Sequence, residues 1–280
     1  MFLAACIQMS SDTDIEANLE RAEKYIRRAA ANGASLVVTP ENTALLGPQF
    51  HKVELAETLD GRVSNFFAEL ANELKIHLLL GSMAEKRFDK NGHLDQQRCY
   101  NTSILFGPDG SRLATYRKVH LFDVNVPGGL SINESDSICA GDQLVVADTE
   151  LGKIGLSICY DLRFPEMYRA LVDQGAELIA VPSAFTLTTG KDHWHTLLKA
   201  RAIECQAWVL APGQWGQHDA KGMRQSYGHS VIIDPWGHVI ADKGHGEGVC
   251  YADIDLQKVQ KVRQSIPLHL HRRIYGTTVK

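Results

Sequence analysis

Three short segments of this 280-residue chain carry side chains suited to covalent chemistry. In residues 154–166 a cysteine, Cys159, directly follows an apolar run, and the helix-start signal Pro165-Glu166 comes soon after. In residues 116–122 a lysine, Lys118, stands among Val119, Leu121 and Phe122. In residues 37–42 a carboxylate, Glu41, sits just past an apolar run. Open α/β sheets gather ligands at the C-terminal ends of their strands. A nucleophile on a strand-to-helix turn also receives backbone N–H donors from that turn. Each residue has a plainer reading as well. A lone cysteine after a strand is more often a small core hydrophobe. A lysine beside Arg117 fits a solvated face, although its apolar neighbours turn the segment inward. Glu41 fits an ordinary turn at a strand end.

Other residue sets carry less. His193 and His195 are two apart, as are His269 and His271, and residues i and i+2 do not share a helix face. With no HExxH and no Cys/His cluster at zinc spacing, no metal is expected, and the histidines read as solvated or capping. No histidine is placed against Cys159 as a protease-like dyad would require. Gly152-Lys153-Ile154-Gly155 lacks phosphate-loop spacing and reads as a hairpin turn, and no dinucleotide fingerprint is present, so no cofactor is expected. The other cysteines stand at 6, 99, 139, 205 and 250 without a CxxC pair. Core packing accounts for Cys6 and Cys250 in strand-like runs and for Cys205 in a helix, and a reducing cytoplasm is the expected compartment.

Positioning three side chains so far apart requires an alternation of strands and helices. Residues 2–9 read as a strand, and 15–32 show apolar residues at helical spacing up to Asn32-Gly33. Strand at 35–39, helix at 63–75 and strand at 76–80 continue the rhythm of a layered α/β fold. Hairpins follow at 101–106 with 112–116, at 144–147 with 153–158, and at 231–233 with 239–241. Between the last two, helices are expected near 165–174 and 194–206, and strands at 178–181 and 208–211. No linker interrupts the pattern, so 1–280 is read as a single domain. The segment after Pro267 has no clear periodicity, and packing on a partner subunit and loose order both remain open. A hydrophobic fraction of 44% is ample for a core, and a net charge of -4 without a long basic block argues against nucleic acid. No apolar run approaches the roughly 20 residues of a membrane span, so no membrane partner is expected.

Taken together, the three segments resemble the nitrilase superfamily over essentially the whole chain. The resemblance rests on Pro40-Glu41, on RKVHLF at 117–122 and on ICYDLRFPE at 158–166, with 77 residues from Glu41 to Lys118 and 41 from Lys118 to Cys159. It implies a Glu–Lys–Cys triad in this chain order, a four-layer α-β-β-α sandwich in the α/β class, and a homodimer that extends the sandwich across subunits. Cys159 would then be the nucleophile of a carbon–nitrogen hydrolase that works through a thioester. A thiol of pKa ~8.5 is only slightly ionised at neutral pH, so it needs a base, for which Glu41 is the candidate. Lys118 would remain cationic, favour the thiolate and hold the oxyanion, with the Tyr160 N–H as second donor. A carboxylate of ordinary acidity is a weak base for a thiol, and a second buried carboxylate nearby strengthens it. Glu134, 16 residues beyond Lys118, matches an accessory glutamate of the family. The preceding Pro127-Gly128-Gly129 suggests a mobile loop over the substrate.

The triad serves nitriles, aliphatic amides and carbamoyl amines alike, so it does not select among them. The stretches VPSAFT at 181–186, Thr189-Gly190, His193-Trp194, SYGHS at 226–230 and DPWG at 234–237 resemble the amidase branch that includes deaminated-glutathione amidase and omega-amidase. VPSAF and SYGHS are nearer the first of these, while 219–224 follows the pattern more loosely. The resemblance implies a small anionic amide as substrate, deaminated glutathione first, 2-oxoglutaramate second and nitriles third. Tyr160, Arg163, Phe185 and Thr186 are the expected substrate-binding residues. An anionic substrate calls for cations beyond Lys118, and Arg163, Lys191 and Arg224 are candidates. Arg163 fits equally well as a local ion pair with Glu166. From another class, a non-catalytic binding protein on the same fold stays open.

Overall fold

The computed structural model describes residues 1–125, 131–219, 222 and 224–274. The chain opens with β1 (Phe2–Gln8), α1 (Ile15–Ala31), β2 (Ala34–Val38), α2 (Gln49–Glu54), α3 (Arg62–Leu74), β3 (His77–Phe88), β4 (Leu94–Phe106) and β5 (Arg112–Arg117). Short strands β6 (Asp123–Asn125), β7 (Ser131–Asn133) and β8 (Ile138–Cys139) follow, then β9 (Val146–Thr149), β10 (Gly152–Leu156), α4 (Pro165–Asp173), β11 (Leu178–Ala180), α5 (Leu187–Cys205) and β12 (Trp208–Ala211). The remaining elements are β13 (Trp215–Gln217), β14 (Gln225–Tyr227), β15 (Val231–Ile233), β16 (Val239–Asp242), β17 (Gly248–Ile254), α6 (Leu256–Ser265) and α7 (Leu268–His271).

Two mixed sheets form the frame. The first runs β17-β1-β2-β3-β4-β5, with β8 beside β4, and the second runs β16-β15-β12-β11-β10-β9. In each sheet the middle strands are parallel and the flanks antiparallel, apart from the short β8, which pairs parallel with β4: β1, β2 and β3 pair parallel, as do β10, β11 and β12. Side chains alternate across a strand. Ala5, Ile7, Val37, Leu78, Leu80, Ile104 and Phe106 pack with α1 and α3. Their neighbours Ala4, Cys6, Leu36, Val38, Leu79 and Leu105 join the cluster that holds the second sheet, α4 and α5. Because both faces of the central strands are covered, those strands read as continuous apolar runs. The layers are therefore helix, sheet, sheet, helix, as the resemblance implies.

Local sequence explains most boundaries. Asp14 caps α1 by accepting from Ala17 N at 3.1 Å, and Leu19, Ala22, Tyr25, Ile26 and Ala29 form its buried stripe. Several elements differ from expectation. The strand expected at 76–80 continues to Phe88, because its second half pairs with β4 through buried polar residues that break the apolar pattern, such as Ser82 and Glu85. Helix α5 starts at Leu187, about two turns before 194, behind a Thr186 cap in a Thr- and Gly-rich stretch that hides helical periodicity. The α2 and α6 helices had no clear sequence signal. After Pro267, α7 forms a short turn, and Arg272 Nη1 contacts both Asp173 oxygens at 2.7 Å.

Candidate active site

Glu41 sits one turn beyond β2. The Thr39 hydroxyl accepts from Gly81 N at 2.9 Å, and Asn42, in left-handed backbone (φ 58°), donates its N–H to Ser82 Oγ at 2.8 Å. Gly81 is required here: a Cβ would come within 2.1 Å of Thr39 O and 2.2 Å of Pro40 O. Gln214 Nε2 donates to Glu41 O at 3.0 Å and fixes the turn from the second sheet's side. The carboxylate is buried and fully engaged. Its Oε1 accepts from Asn101 Nδ2 at 2.9 Å and Lys118 Nζ at 3.0 Å, and its Oε2 from Ala184 N at 2.8 Å.

Lys118 follows the end of β5 and is 2% exposed, so it is no surface lysine. Its N–H donates to Asn101 O at 2.9 Å. The preceding Arg117 clamps buried Glu85 bidentately, at 2.8 and 2.5 Å, and so pins the strand end that delivers Lys118. Nζ reaches Glu134 Oε2 at 2.8 Å and Oε1 at 3.1 Å in addition to Glu41. Glu134 opens a 3-10 turn, Glu134–Asp136, and its Oε2 also accepts from Phe122 N at 2.7 Å.

Cys159 begins the 3-10 turn Cys159–Arg163, three residues past β10, in left-handed backbone (φ 48°). A non-glycine residue held there is strained, and such strain collects at functional sites. Its own N–H is taken by Pro182 O at 2.9 Å, which leaves the Tyr160 N–H as the candidate oxyanion donor of the turn. Asp161, fully buried, holds the turn in place. It accepts from Ile158 N at 2.8 Å, the Tyr116 hydroxyl at 2.7 Å and His120 N at 3.0 Å, and contacts His120 Nδ1 at 2.8 Å.

The charges act on one another. Burial and the Glu41 carboxylate push the Cys159 thiol well above its usual range, with Lys118 pulling the other way. Burial works against the Lys118 ammonium, but Glu134 and Glu41 outweigh it and hold the lysine well above its normal value. Burial likewise opposes the Glu134 charge, and Lys118 with Lys52 holds its carboxyl low. The resting arrangement is therefore a neutral thiol beside a carboxylate and a fixed ammonium. It is suited to proton transfer from sulfur to Glu41 as sulfur attacks a carbonyl, with Lys118 set to meet the oxyanion.

Glu41, Lys118, Glu134 and Cys159 all line one cavity of about 520 Å³, and so do Tyr160, Arg163, Phe185 and Thr186. Tyr160 packs edge-on against Phe122 and Phe164, and Phe185 lies tilted against Trp194. The Thr186 hydroxyl is engaged with Thr189 as the cap of α5. Among the described residues Arg163 makes no ion pair with Glu166. Its Nη1 lies 3.3 Å from His193 Nδ1, and its guanidinium lies over Phe185 and Tyr160. Arg224 lines the cavity and donates to Gly47 O, while exposed Lys191 is not part of the described wall. The 127–129 stretch lies outside the described residues.

Several residues of the site had no sequence signal of their own. Asn101 is one of several polar residues of β4 yet bridges Glu41 and Glu134, its Nδ2 3.4 Å from the latter. Lys52 is buried on α2 and faces the cavity. His218 spans Ser11 O and Ser226 Oγ, each at 2.8 Å. Elsewhere, His195, His229 and Asp242 bring ligand-type atoms within 4.8 Å of one another. Of the histidines expected to be solvated or capping, His195 instead pairs with Asp242. The contact joins α5, the approach to β15 and β16, which no local spacing reveals, and hydrogen bonds to Asp242 at 2.9 and 3.1 Å already join the three.

Residues 3–264 match the family model for carbon-nitrogen hydrolase. The chain is 43% identical over 273 residues to deaminated glutathione amidase of Synechocystis sp., covering 97% of this chain and 98% of that protein. It is 38% identical over 282 residues to human omega-amidase NIT2, covering 100% of this chain and 98% of that protein. Among solved structures, Saccharomyces cerevisiae Nit3, a member of branch 10 of the nitrilase superfamily, matches with a TM-score of 0.85 at 33% identity over 98% of this chain and 97% of that one.

Proposed function

The chain belongs to the carbon–nitrogen hydrolase family, in the amidase branch of the nitrilase superfamily, and from that membership we propose that it is a deaminated glutathione amidase acting through a thioester on Cys159. The observation that carries the chemistry is the convergence of Glu41, Lys118, Glu134 and Cys159 in one cavity. The substrate assignment draws on the 43% identity to the Synechocystis enzyme of that name.

In the proposed reaction Cys159 passes its proton to Glu41 as sulfur bonds to the amide carbon. Lys118 Nζ and the Tyr160 N–H hold the resulting oxyanion. The carbon–nitrogen bond then breaks, and the amine, cysteinylglycine, leaves with the proton from Glu41. A water gives its proton to Glu41 and attacks the thioester. The carbon–sulfur bond breaks, 2-oxoglutarate departs, and the proton returns to sulfur. Glu134 keeps Lys118 aimed and charged throughout. Tyr160, Arg163, Phe185 and Thr186 are assigned to substrate binding.

We further read 1–280 as a single catalytic domain, supported by the core cluster shared by both sheets. A homodimer is supported by exposed Ile203, Trp236, Val239 and Ile240 on α5 and the β15–β16 hairpin. A cytoplasmic setting is supported by six free cysteines. Among the described residues no helix is long and apolar enough to cross a membrane.

The test compares kcat/KM for deaminated glutathione, 2-oxoglutaramate and a nitrile, with Cys159→Ala as the blank. Deaminated glutathione should rank first, and its ranking last would overturn the assignment. An acyl mass on Cys159 of wild type quenched during turnover supports the thioester, whereas a non-catalytic binding protein would give neither adduct nor turnover. The second reading, omega-amidase, is favoured if 2-oxoglutaramate is preferred, in line with the 38% identity to the human enzyme.

A further inference from the structure

Lys52 presents an unusual combination. It is 6% exposed, on the short helix α2, and its side chain lines the same cavity as Cys159. Among the described residues no oxygen stands within hydrogen-bond or ion-pair distance of its Nζ, in contrast to Lys118, which contacts three carboxylate oxygens. Burying an ammonium without a partner is costly, and proteins that keep one supply a partner or lower its charge. Burial does draw the Lys52 ammonium below its normal range, while Glu134 and Glu41 oppose that at longer range. Those two carboxylates already share Lys118 at 3.1 Å or less, and among the described residues neither forms an ion pair with Lys52.

The helix is held firmly enough to aim such a group. The Ser137 hydroxyl donates to Gln49 Oε1 at 3.0 Å at the start of α2, Arg224 donates to Gly47 O just before it, and Leu46 N donates to Asp12 O at 2.9 Å. The sequence-level cations divide differently. Lys191 is exposed, Arg224 is engaged with backbone, and Arg163 lies over aromatic rings beside His193.

We propose that Lys52 is the anchor for a carboxylate on the acyl side of the substrate, so that the cavity selects amides whose acyl group ends in a carboxylate. The inference rests on the amidase reading of this cavity. It assigns to Lys52 a binding and specificity role, separate from bond making, which stays with Cys159, Glu41 and Lys118. A carboxylate entering the cavity supplies the acceptor that the protein does not, and its charge-assisted hydrogen bond discriminates strongly against an uncharged amide of the same length.

The test uses glutaramate and pentanamide, which match in chain length and differ in the terminal carboxylate, with purified wild type, Lys52→Met, Lys52→Gln and Lys52→Arg. The ratio of kcat/KM for glutaramate over pentanamide should fall at least about tenfold in both uncharged variants, mainly through KM, and be largely kept in Lys52→Arg. Melting curves identify which variants are folded, and the two uncharged replacements differ in polarity so that the result does not hang on one. An unchanged ratio in a folded uncharged variant overturns the proposal. Calorimetry with glutarate reads the same site without turnover: wild type should bind it at least about tenfold more tightly than Lys52→Met. If wild type hydrolyses neither amide, the amidase reading falls, whereas equal glutarate binding by wild type and Lys52→Met removes Lys52 alone.

Discussion

The Tyr116 hydroxyl donates to Asp161 Oδ2 at 2.7 Å, and through that bond the strand that delivers Lys118 is tied to the turn that carries Cys159. The two elements belong to different sheets, and both side chains are fully buried. The distance between nucleophile and ammonium therefore depends on a carboxylate that touches neither.

Asp161→Ala should separate them. It removes the acceptor of Ile158 N, Tyr116 OH and His120 N, and each buried donor left without a partner costs about 1–3 kcal/mol. The expected loss of stability is at least about 3 kcal/mol, read as a lower urea midpoint. In conditions where the variant is folded, kcat should still fall sharply. Normal kcat in folded protein would mean that the Cys159 turn holds itself.

Glu134→Gln tests the second carboxylate. Lys118 would lose an ionic contact at 2.8 Å but keep Glu41 at 3.0 Å. Turnover should drop by about a hundredfold, because a charge-stabilising donor that is no longer held in place loses most of its effect on the oxyanion. Circular dichroism should remain native. Wild-type turnover in that folded variant would remove Glu134 from the chemistry.

Cys159 should alkylate slowly at neutral pH. Burial and Glu41 hold its thiol well above the ordinary range, so the iodoacetamide rate should still be rising at pH ~9 instead of levelling off. Glu41→Gln removes the neighbouring negative charge while Lys118 remains, so the profile should move toward lower pH even as amide hydrolysis is abolished. Mass spectrometry of the modified cysteine measures both. A plateau near neutral pH in wild type would instead indicate a thiolate already formed in the resting protein.

His218 gives a pH dependence of stability. Burial lowers its pKa below the ordinary value of 6.5, with the Ser11 carbonyl and Asp219 favouring the charged form and Arg224 opposing it. The unfolded chain therefore binds a proton more readily than the native one. Stability from the neutral ring is complete above the unfolded pKa and is lost as pH falls through the folded value. On acidification from pH ~8 to ~5, wild type should lose more of its melting temperature than His218→Gln does. Equal losses in the two proteins would exclude the ring as the source.

Much of this site was legible because its three motif residues lie just beyond the ends of strands, where short stretches of sequence reveal both the element and the break. Glu41 follows Pro40, Lys118 follows the apolar approach to Tyr116, and Cys159 precedes the helix signal of Pro165. Lys52 and Asn101 were hidden for opposite reasons. Lys52 lies on a six-residue helix too short to show periodicity, and Asn101 is one polar residue among many in a long paired strand. Arg163 was read locally against Glu166, but its partner, His193, arrives from α5, thirty residues further on. Spacing rules see one element at a time, and each of these contacts joins two or more.

The first sheet closes with a strand from the far end of the chain, since β17 pairs antiparallel with β1 from Phe2↔Ile254 to Gln8↔Gly248. Until residue 254 has been synthesised, the most apolar strand of the sheet, with Ala4 to Ile7 wholly buried in the final fold, has an open edge. An unpaired apolar edge is a template for other chains. Synthesis that stalls between β16 and β17 would therefore leave an aggregation-prone intermediate, although every motif residue from Glu41 to Cys159 is already present.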